Sequence, residues 1–149
     1  MKYSFLYVIL IGLFSSCYTT PASTIAPNTD LSKYKFAAIG TKTTGSNVVL
    51  ADTQMKVQNG LISCGYNVII DSRISTLDYD ERIKLFFVEF SITSNSSESV
   101  CLIYFTDYIT GNIIATFRGS FGLGWNMAGD QRGAVDSAIK QMVNSLQNN

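Results

Sequence analysis

Residues 83–121, IKLFFVEFSITSNSSESVCLIYFTDYITGNIIATFRGSF, decide the fold because they contain three consecutive β-strand patterns. The even positions from Phe86 to Ile92 are all apolar, a period of two that is typical of a strand with one buried face. A Ser- and Asn-rich turn at 94–99 leads into a second strand, Val100–Ile109. The turn Thr110–Asn112 leads into a third, Ile113–Phe121. This stretch predicts an antiparallel meander.

One helical pattern precedes the meander in the sequence and another follows it. Between Asn47 and Cys64 apolar residues recur at helical spacing, and Gly65 is placed to end that helix. From Ala134 to Leu146 the same spacing predicts a C-terminal helix, with Asp130 as a candidate N-cap.

Two short strand patterns, Tyr34–Gly40 and Tyr66–Asp71, stand before and after the first helix. Residues 72–82 show no clear period and are predicted to form an exposed loop or a short helical turn. The order β-α-β-β-β-β-α predicts an α+β domain, with one mainly antiparallel sheet and both helices packed on one face.

Two motifs carry a resemblance to known proteins: Gly65-Tyr66 after the first helix, and Asp107-Tyr-Ile-Thr110-Gly111 in the last hairpin. On these residues the chain resembles small bacterial envelope lipoproteins of unknown function. These are related to the lipoprotein activators of penicillin-binding proteins and to the core of the curli secretion channel. The resemblance covers most of 34–146 and implies the same α+β domain. Thr-Gly supplies a tight turn and the Asp can bind backbone around it, so the motif indicates fold rather than activity.

The first residues have the layout of an export signal. Met1-Lys2-Tyr3-Ser4 is followed by the apolar run Phe5–Phe14 and then by Ser15, Ser16 and Cys17. Phe14-Ser15-Ser16-Cys17 resembles the lipobox of a bacterial lipoprotein. Because the apolar run is much shorter than the about 20 residues that span a bilayer, residues 1–16 are predicted to be a cleaved signal peptide and Cys17 the lipidated residue. The alternative is an ordinary secretory signal cut further on, for instance at Ala22.

The segment after Cys17 is predicted to be a flexible tether. Residues 18–29 are rich in Thr, Ser and Ala, contain both prolines and carry no charge. We therefore expect a tether over 17–32 and a single domain over 33–149. The residue after the lipid site is Tyr18 and not Asp, which by resemblance to known sorting signals implies the outer membrane, with the domain facing the periplasm.

The composition excludes several functional classes. The chain has 11 Lys+Arg, 11 Asp+Glu and no histidine. Without a basic patch it is not expected to bind nucleic acid. Without histidine it lacks the commonest general base, the Ser–His and Cys–His pairs, and most transition-metal sites. The acids Asp78, Asp80 and Glu81 lack the spacing of a Ca²⁺ loop, and Gly119–Gly124 lacks the Lys-Ser/Thr of a phosphate loop. We expect no catalytic residue, metal or cofactor.

Cys64 and Cys101 are the two cysteines of the predicted domain. In an oxidising compartment they can form a disulfide. Each also lies in an apolar context and fits a small buried side chain. The sequence leaves both interpretations open.

An aromatic series continues past the last strand into a Gly-rich stretch. It consists of the odd-numbered residues Phe117, Phe121, Leu123 and Trp125. One interpretation is a long strand whose apolar side packs under a helix. The other is a mobile flap that contacts a partner, because exposed Trp and Phe are favoured anchors at interfaces.

Taken together, these features predict a lipid-anchored, non-enzymatic envelope protein. It would bind another envelope protein through its sheet edge or through Phe117–Met127. Two alternatives remain: a regulator of a peptidoglycan synthase, and a subunit of an oligomeric secretion or pore complex.

Overall fold

The computed structural model describes residues 22–40, 47–122 and 126–148. The strands are β1 (Ala22–Ile25), β2 (Phe36–Ile39), β3 (Asn67–Ile69), β4 (Leu85–Ser94), β5 (Ser99–Asp107) and β6 (Ile113–Phe121). The α-helices are α1 (Asn47–Ser63), α2 (Tyr79–Arg82) and α3 (Met127–Gln147), and 3-10 helices cover Leu31–Lys33 and Asp71–Thr76. All six strands form one sheet in the order β1-β6-β5-β4-β2-β3.

The meander predicted from residues 83–121 is confirmed. Strands β4, β5 and β6 pair antiparallel, and Phe90, Ile103 and Phe117 lie side by side across them. Alternate side chains therefore point to opposite faces of the sheet, so one face of these three strands is apolar and buried.

Strand β2 pairs in parallel with both β3 and β4. The parallel β2–β3 pair needs a crossover connection, and α1 provides it. Helix α1 ends where the sequence predicted, because Gly65 adopts a φ of 88°, which favours glycine. The backbone N–H of Tyr66 closes the helix by donating to the carbonyl of Leu61 at 3.1 Å.

Helices α1 and α3 both cover the same face of the sheet, as predicted. The core between them is built on stacked aromatic rings. Phe86 stacks on Phe105 with ring centroids 4.5 Å apart, and Phe105 meets Phe117 edge-on at 5.1 Å. Val57 and Leu61 of α1 are fully buried against this layer.

Helix α3 begins earlier than the apolar period predicted. Asn126, not Asp130, is the N-cap, and its side chain accepts a hydrogen bond from the N–H of Ala128 at 3.0 Å. Asp130 lies inside the helix, and its N–H bonds to the carbonyl of Asn126 at 2.9 Å. The first turn of the helix is exposed, so it contributes no apolar period to the sequence.

Ordered structure is already present before residue 33, where the domain was expected to begin. Residues 22–25 form the edge strand β1, which pairs antiparallel with β6. Leu31 is only 3% exposed and belongs to the core. Residues 22–25 and Leu31 of the expected tether over 17–32 therefore belong to the folded domain, because β1 is formed by pairing with β6, which is distant in sequence. Residues 17–21 of the expected tether lie outside the described residues.

The segment without a clear period, residues 72–82, forms a 3-10 helix and a single α-turn. Asp78 and Glu81 form a reciprocal capping box at the start of α2: the Asp78 side chain accepts the N–H of Glu81 at 2.8 Å, and the Glu81 side chain accepts the N–H of Asp78 at 3.1 Å. The local acids are thus used to begin a helix. Beneath this segment Ala38, Ile74 and Leu85 form a small second core on the sheet face opposite α1 and α3.

Candidate interaction surface

The Asp107 motif is a structural lock between two parts of the chain. Its Oδ1 accepts hydrogen bonds from the N–H of Ile109 (3.0 Å), the N–H of Thr110 (2.8 Å) and the Thr110 hydroxyl (3.0 Å). Its Oδ2 accepts a 2.6 Å hydrogen bond from the Tyr34 hydroxyl and lies 3.7 Å from the Lys33 Nζ. The carboxylate thus fixes the β5–β6 turn and joins it to the segment that enters β2.

The hydrogen-bond donors around Asp107 stabilise the negative charge of its carboxylate. Burial acts to raise the pKa of Asp107, but the hydrogen bonds from Tyr34 and Thr110, with the Lys33 charge, together hold that pKa below its ordinary value. Burial and the hydrogen bond to Asp107 raise the pKa of Tyr34. Asp107 is therefore ionised and Tyr34 protonated at neutral pH. Because both carboxylate oxygens accept hydrogen bonds, the pair holds the β5–β6 turn against the segment that enters β2.

Both domain cysteines are free thiols. Cys101 is fully buried in β5, and burial raises the pKa of its thiol to about 12. Cys64 follows α1, is half-buried, and has a pKa raised mainly by burial. The structure therefore places them as small packed side chains of low reactivity, and not as the disulfide that the sequence left open.

The described part of the aromatic series packs under α3. Phe117 is fully buried, so it cannot contact a partner while the domain is folded. A Cβ on Gly119 would lie 2.2 Å from the Ala134 carbonyl oxygen, so this glycine lets the strand and helix backbones meet. Phe121 is 37% exposed at the end of β6. Leu123 and Trp125 lie outside the described residues.

One face of the meander is not covered by α1 or α3, and we call it the open face. On this open face, the even-numbered residues of β5 are half-buried, whereas its odd-numbered residues are buried beneath α3. The row on β5 consists of Val100, Leu102, Tyr104 and Thr106. Its cross-strand neighbours are mostly polar: Ser91 and Arg118 flank Leu102, and Glu89 and Thr116 flank Tyr104.

The open face has the composition of a contact surface. A short aliphatic and aromatic row with a polar border is the arrangement found at protein interfaces. Among the described residues, only 71–82 packs on this face, and only at the end where Ala38 and Leu85 are buried. This row is not recognisable from the sequence, because β5 has apolar residues at both odd and even positions and its period alone does not separate core from surface.

The described residues contain no cluster of three His, Cys, Asp or Glu side chains that could hold a metal ion. Every buried side-chain nitrogen and oxygen among them has a hydrogen-bond partner. No helix in the described ranges is both long enough and apolar enough to cross a membrane.

Comparison with known proteins identifies a solved structure with the same fold. No family model and no curated protein matches the chain. A PelC variant from Paraburkholderia phytofirmans, solved as a dodecamer, matches 86% of this chain and 96% of its own, with 13% identity and a TM-score of 0.52.

Two further solved structures are more distant. A second PelC dodecamer from the same organism covers 86% of this chain and 94% of its own, at 16% identity and a TM-score of 0.49. The lipoprotein GNA1162 from Neisseria meningitidis covers 77% of this chain and 99% of its own, at 10% identity and a TM-score of 0.38. The first similarity is to a whole domain, and it confirms the α+β architecture implied by the motifs at Gly65 and Asp107. The chain therefore shares the fold of PelC.

Proposed function

We propose that this chain is a lipid-anchored assembly module of the bacterial cell envelope, acting by contact and not by catalysis. Cys17 carries the lipid, residues 1–16 are removed, and the domain faces the periplasm from the outer membrane. The open face of the meander binds another envelope protein. Leu123 and Trp125 are further contact residues in this proposal.

The observation that carries the proposal is the half-buried row Val100, Leu102 and Tyr104 on the sheet face that α1 and α3 do not cover. A meander with one covered face and one accessible face is stable on its own. The accessible face can then be used for binding without unfolding the domain. The absence of histidine from the whole chain supports contact over catalysis.

A second candidate is a subunit of an oligomeric secretion or pore complex. The shared fold with PelC favours it, since that protein was solved as a dodecamer. In this case the partner of the open face is another copy of the same chain. If the partner is instead a peptidoglycan synthase, the chain acts as a regulator of that enzyme.

The lipid anchor is tested by Cys17→Ala. We expect the variant to leave the membrane fraction while its domain keeps the wild-type unfolding midpoint, because Cys17 precedes the first strand. Intact mass of the wild-type protein should show a diacylglyceryl group on Cys17 and loss of residues 1–16. A Cys17→Ala protein that stays with the membranes after a salt wash would refute the anchor.

The contact surface is tested by photo-cross-linking in cells. A photoreactive amino acid replaces Tyr104 on the open face, and in a matched variant it replaces Gln58, which is exposed on α1. We expect a discrete adduct from position 104 only, and mass spectrometry of that adduct separates an envelope protein, a synthase and a second copy of this chain. Equal adducts from both positions, or none from position 104, would contradict the proposal.

A further inference from the structure

The three strands of the meander place one acid and one base on the open face. Strands β4, β5 and β6 contain three charged residues: Glu89, Asp107 and Arg118. Asp107 is used in the lock with the segment that enters β2. Glu89 and Arg118 each stand next to a residue that is buried on the covered face, Phe90 and Phe117. Because side chains alternate along a strand, both charges point to the open face.

These two charges lie on opposite sides of the β5 row. Glu89 is beside Tyr104 on β4, and Arg118 is beside Leu102 on β6. At about 4.8 Å between strands and about 3.4 Å per residue, their Cα atoms are about 12 Å apart, with the β5 row between them. They do not pair within the chain, because the Arg118 guanidinium lies 3.9 Å from the Glu98 carboxylate instead.

Both charges are able to make a further contact. The Arg118 side chain is 31% exposed, and its 3.9 Å approach to Glu98 is longer than a hydrogen bond. A guanidinium has five N–H donors, so it can bind a second carboxylate. The Glu89 side chain is exposed, and its carboxylate has no ion pair or hydrogen bond within the part of the chain that the structure describes.

The positions of the two charges are complementary to themselves. Consider a two-fold axis parallel to the sheet, which passes over β5 between Leu102 and Tyr104 at right angles to the line from Glu89 to Arg118. This axis exchanges the two charged positions, so two open faces that meet about it set each Glu89 against Arg118 of the other copy. From the spacings above, the strands of the two sheets cross at about 70°, near the orthogonal class of sheet packing.

We propose that the open face binds the open face of a second copy of this chain, in a two-fold dimer with two Glu89–Arg118 pairs around Leu102 and Tyr104. The inference rests on the contact surface proposed above and names its partner. A two-fold interface uses the same patch on both subunits, so that patch must complement itself. The apolar row packs at the centre, and the charge pairs fix the angle at which the two sheets cross.

The experiment uses the full chain in cells, with two differently tagged copies and the photoreactive residue at position 104. We expect an adduct of twice the chain mass that contains both tags. Glu89→Arg sets arginines against each other, and Arg118→Glu sets carboxylates against each other. Each should lower the yield of this adduct at least about ten-fold, because like charges across an interface repel. Lys140→Glu is the control, since Lys140 is exposed on α3, and it should leave the yield unchanged.

Co-expression of the two charge variants tests the pairing itself. When one tagged chain carries Glu89→Arg and the other carries Arg118→Glu, every base again faces an acid, and we expect the doubly tagged adduct to return. Urea unfolding shows whether each variant is folded. Because Glu89 is exposed, Glu89→Arg is expected to keep the fold and decides the result even if Arg118→Glu does not fold.

Three outcomes would overturn the dimer. One is an undiminished adduct between copies carrying Glu89→Arg, and another is no recovery when both variants are folded and co-expressed. The third is an adduct from position 104 that contains only a different protein; it would leave the open face as a contact surface and exclude the second copy. The absence of any adduct from position 104 would instead contradict the proposed function as well.

Discussion

The two faces of β5 differ although they belong to one strand. Cys101, Ile103 and Phe105 point toward α1 and α3 and are fully buried. Leu102 and Tyr104, between them in sequence, point to the open face and are half-buried. The apolar content of the two sets is similar, so composition does not distinguish them. What distinguishes them is the pair of helices that covers one face.

Because of this difference, the covered face determines the stability of the domain and the open face is available for contact. The covered face supplies the free energy of folding, since burial of apolar area is the main favourable term. The open face can therefore change without loss of the fold. Substitutions at neighbouring positions of β5 should then affect different properties of the protein.

The largest expected effect is that of Phe105→Ala on the covered face. Phe105 stacks on Phe86 and meets Phe117 edge-on. We expect the free energy of unfolding to fall by about 3–5 kcal/mol, because the substitution removes a buried ring and leaves a cavity. Urea unfolding of residues 17–149 carrying Cys17→Ala measures it.

The matched control for Phe105→Ala is Tyr104→Ala on the open face. It removes a ring of similar size that is half-buried between the cross-strand neighbours Glu89 and Thr116, and should cost below about 1 kcal/mol. Similar losses for the two variants would show that the open face is buried in the folded protein.

The next effect concerns the end of the covered face, where Asp107 is locked by Tyr34. Asp107→Asn removes the charge from these hydrogen bonds and should lower the free energy of unfolding at pH 7 by about 1.5–3 kcal/mol. The folded pKa of Asp107 is lowered relative to the unfolded chain. Its stabilisation is therefore complete above the ordinary pKa of about 3.9 and is lost as the pH falls through the lower folded pKa.

The pH dependence of the free energy of unfolding shows whether the charge of Asp107, and not only its shape, stabilises this site. Urea unfolding at a series of pH values should show the difference between wild type and Asp107→Asn shrinking below about pH 4. Tyr34→Phe removes one donor and should reduce the same acid-sensitive step without abolishing it. A difference that stays constant down to the acid transition would mean that the carboxylate charge contributes nothing to the lock.

Local patterns in the sequence were sufficient to predict the helices and strands whose apolar residues recur at a clear period. The bounds of β6 and the end of α1 at Gly65 follow from alternation and from a glycine with positive φ. Strand β1 was missed because Ala22–Ile25 is only four residues long and is formed by pairing with β6, which is distant in sequence. The start of α3 was missed because its exposed first turn has no apolar period.

The contacts of the site were harder to predict from the sequence than the fold was. The backbone role of Asp107 followed from its Thr-Gly turn, but its bond to Tyr34 joins residues 73 positions apart. Phe117 was a candidate contact residue on its type alone, and the structure buries it. The exposure of Leu102 and Tyr104 depends on where the helices pack, which no local pattern encodes.

The smallest effect on folding should come from Leu102→Ala, and it is the sharpest test of the open face. Leu102 is half-buried between Ser91 and Arg118, so truncation should cost below about 1 kcal/mol. Ile103→Ala, one residue away on the covered face, should cost about 2–5 kcal/mol. Urea unfolding compares the pair, and the yield of the adduct from the photoreactive residue at position 104 reports contact. We expect Leu102→Ala to lower that yield while the domain stays folded, because the row loses its central aliphatic side chain. If Leu102→Ala destabilises the protein as much as Ile103→Ala, a part of the chain outside the described residues covers this face, and the contact surface lies elsewhere.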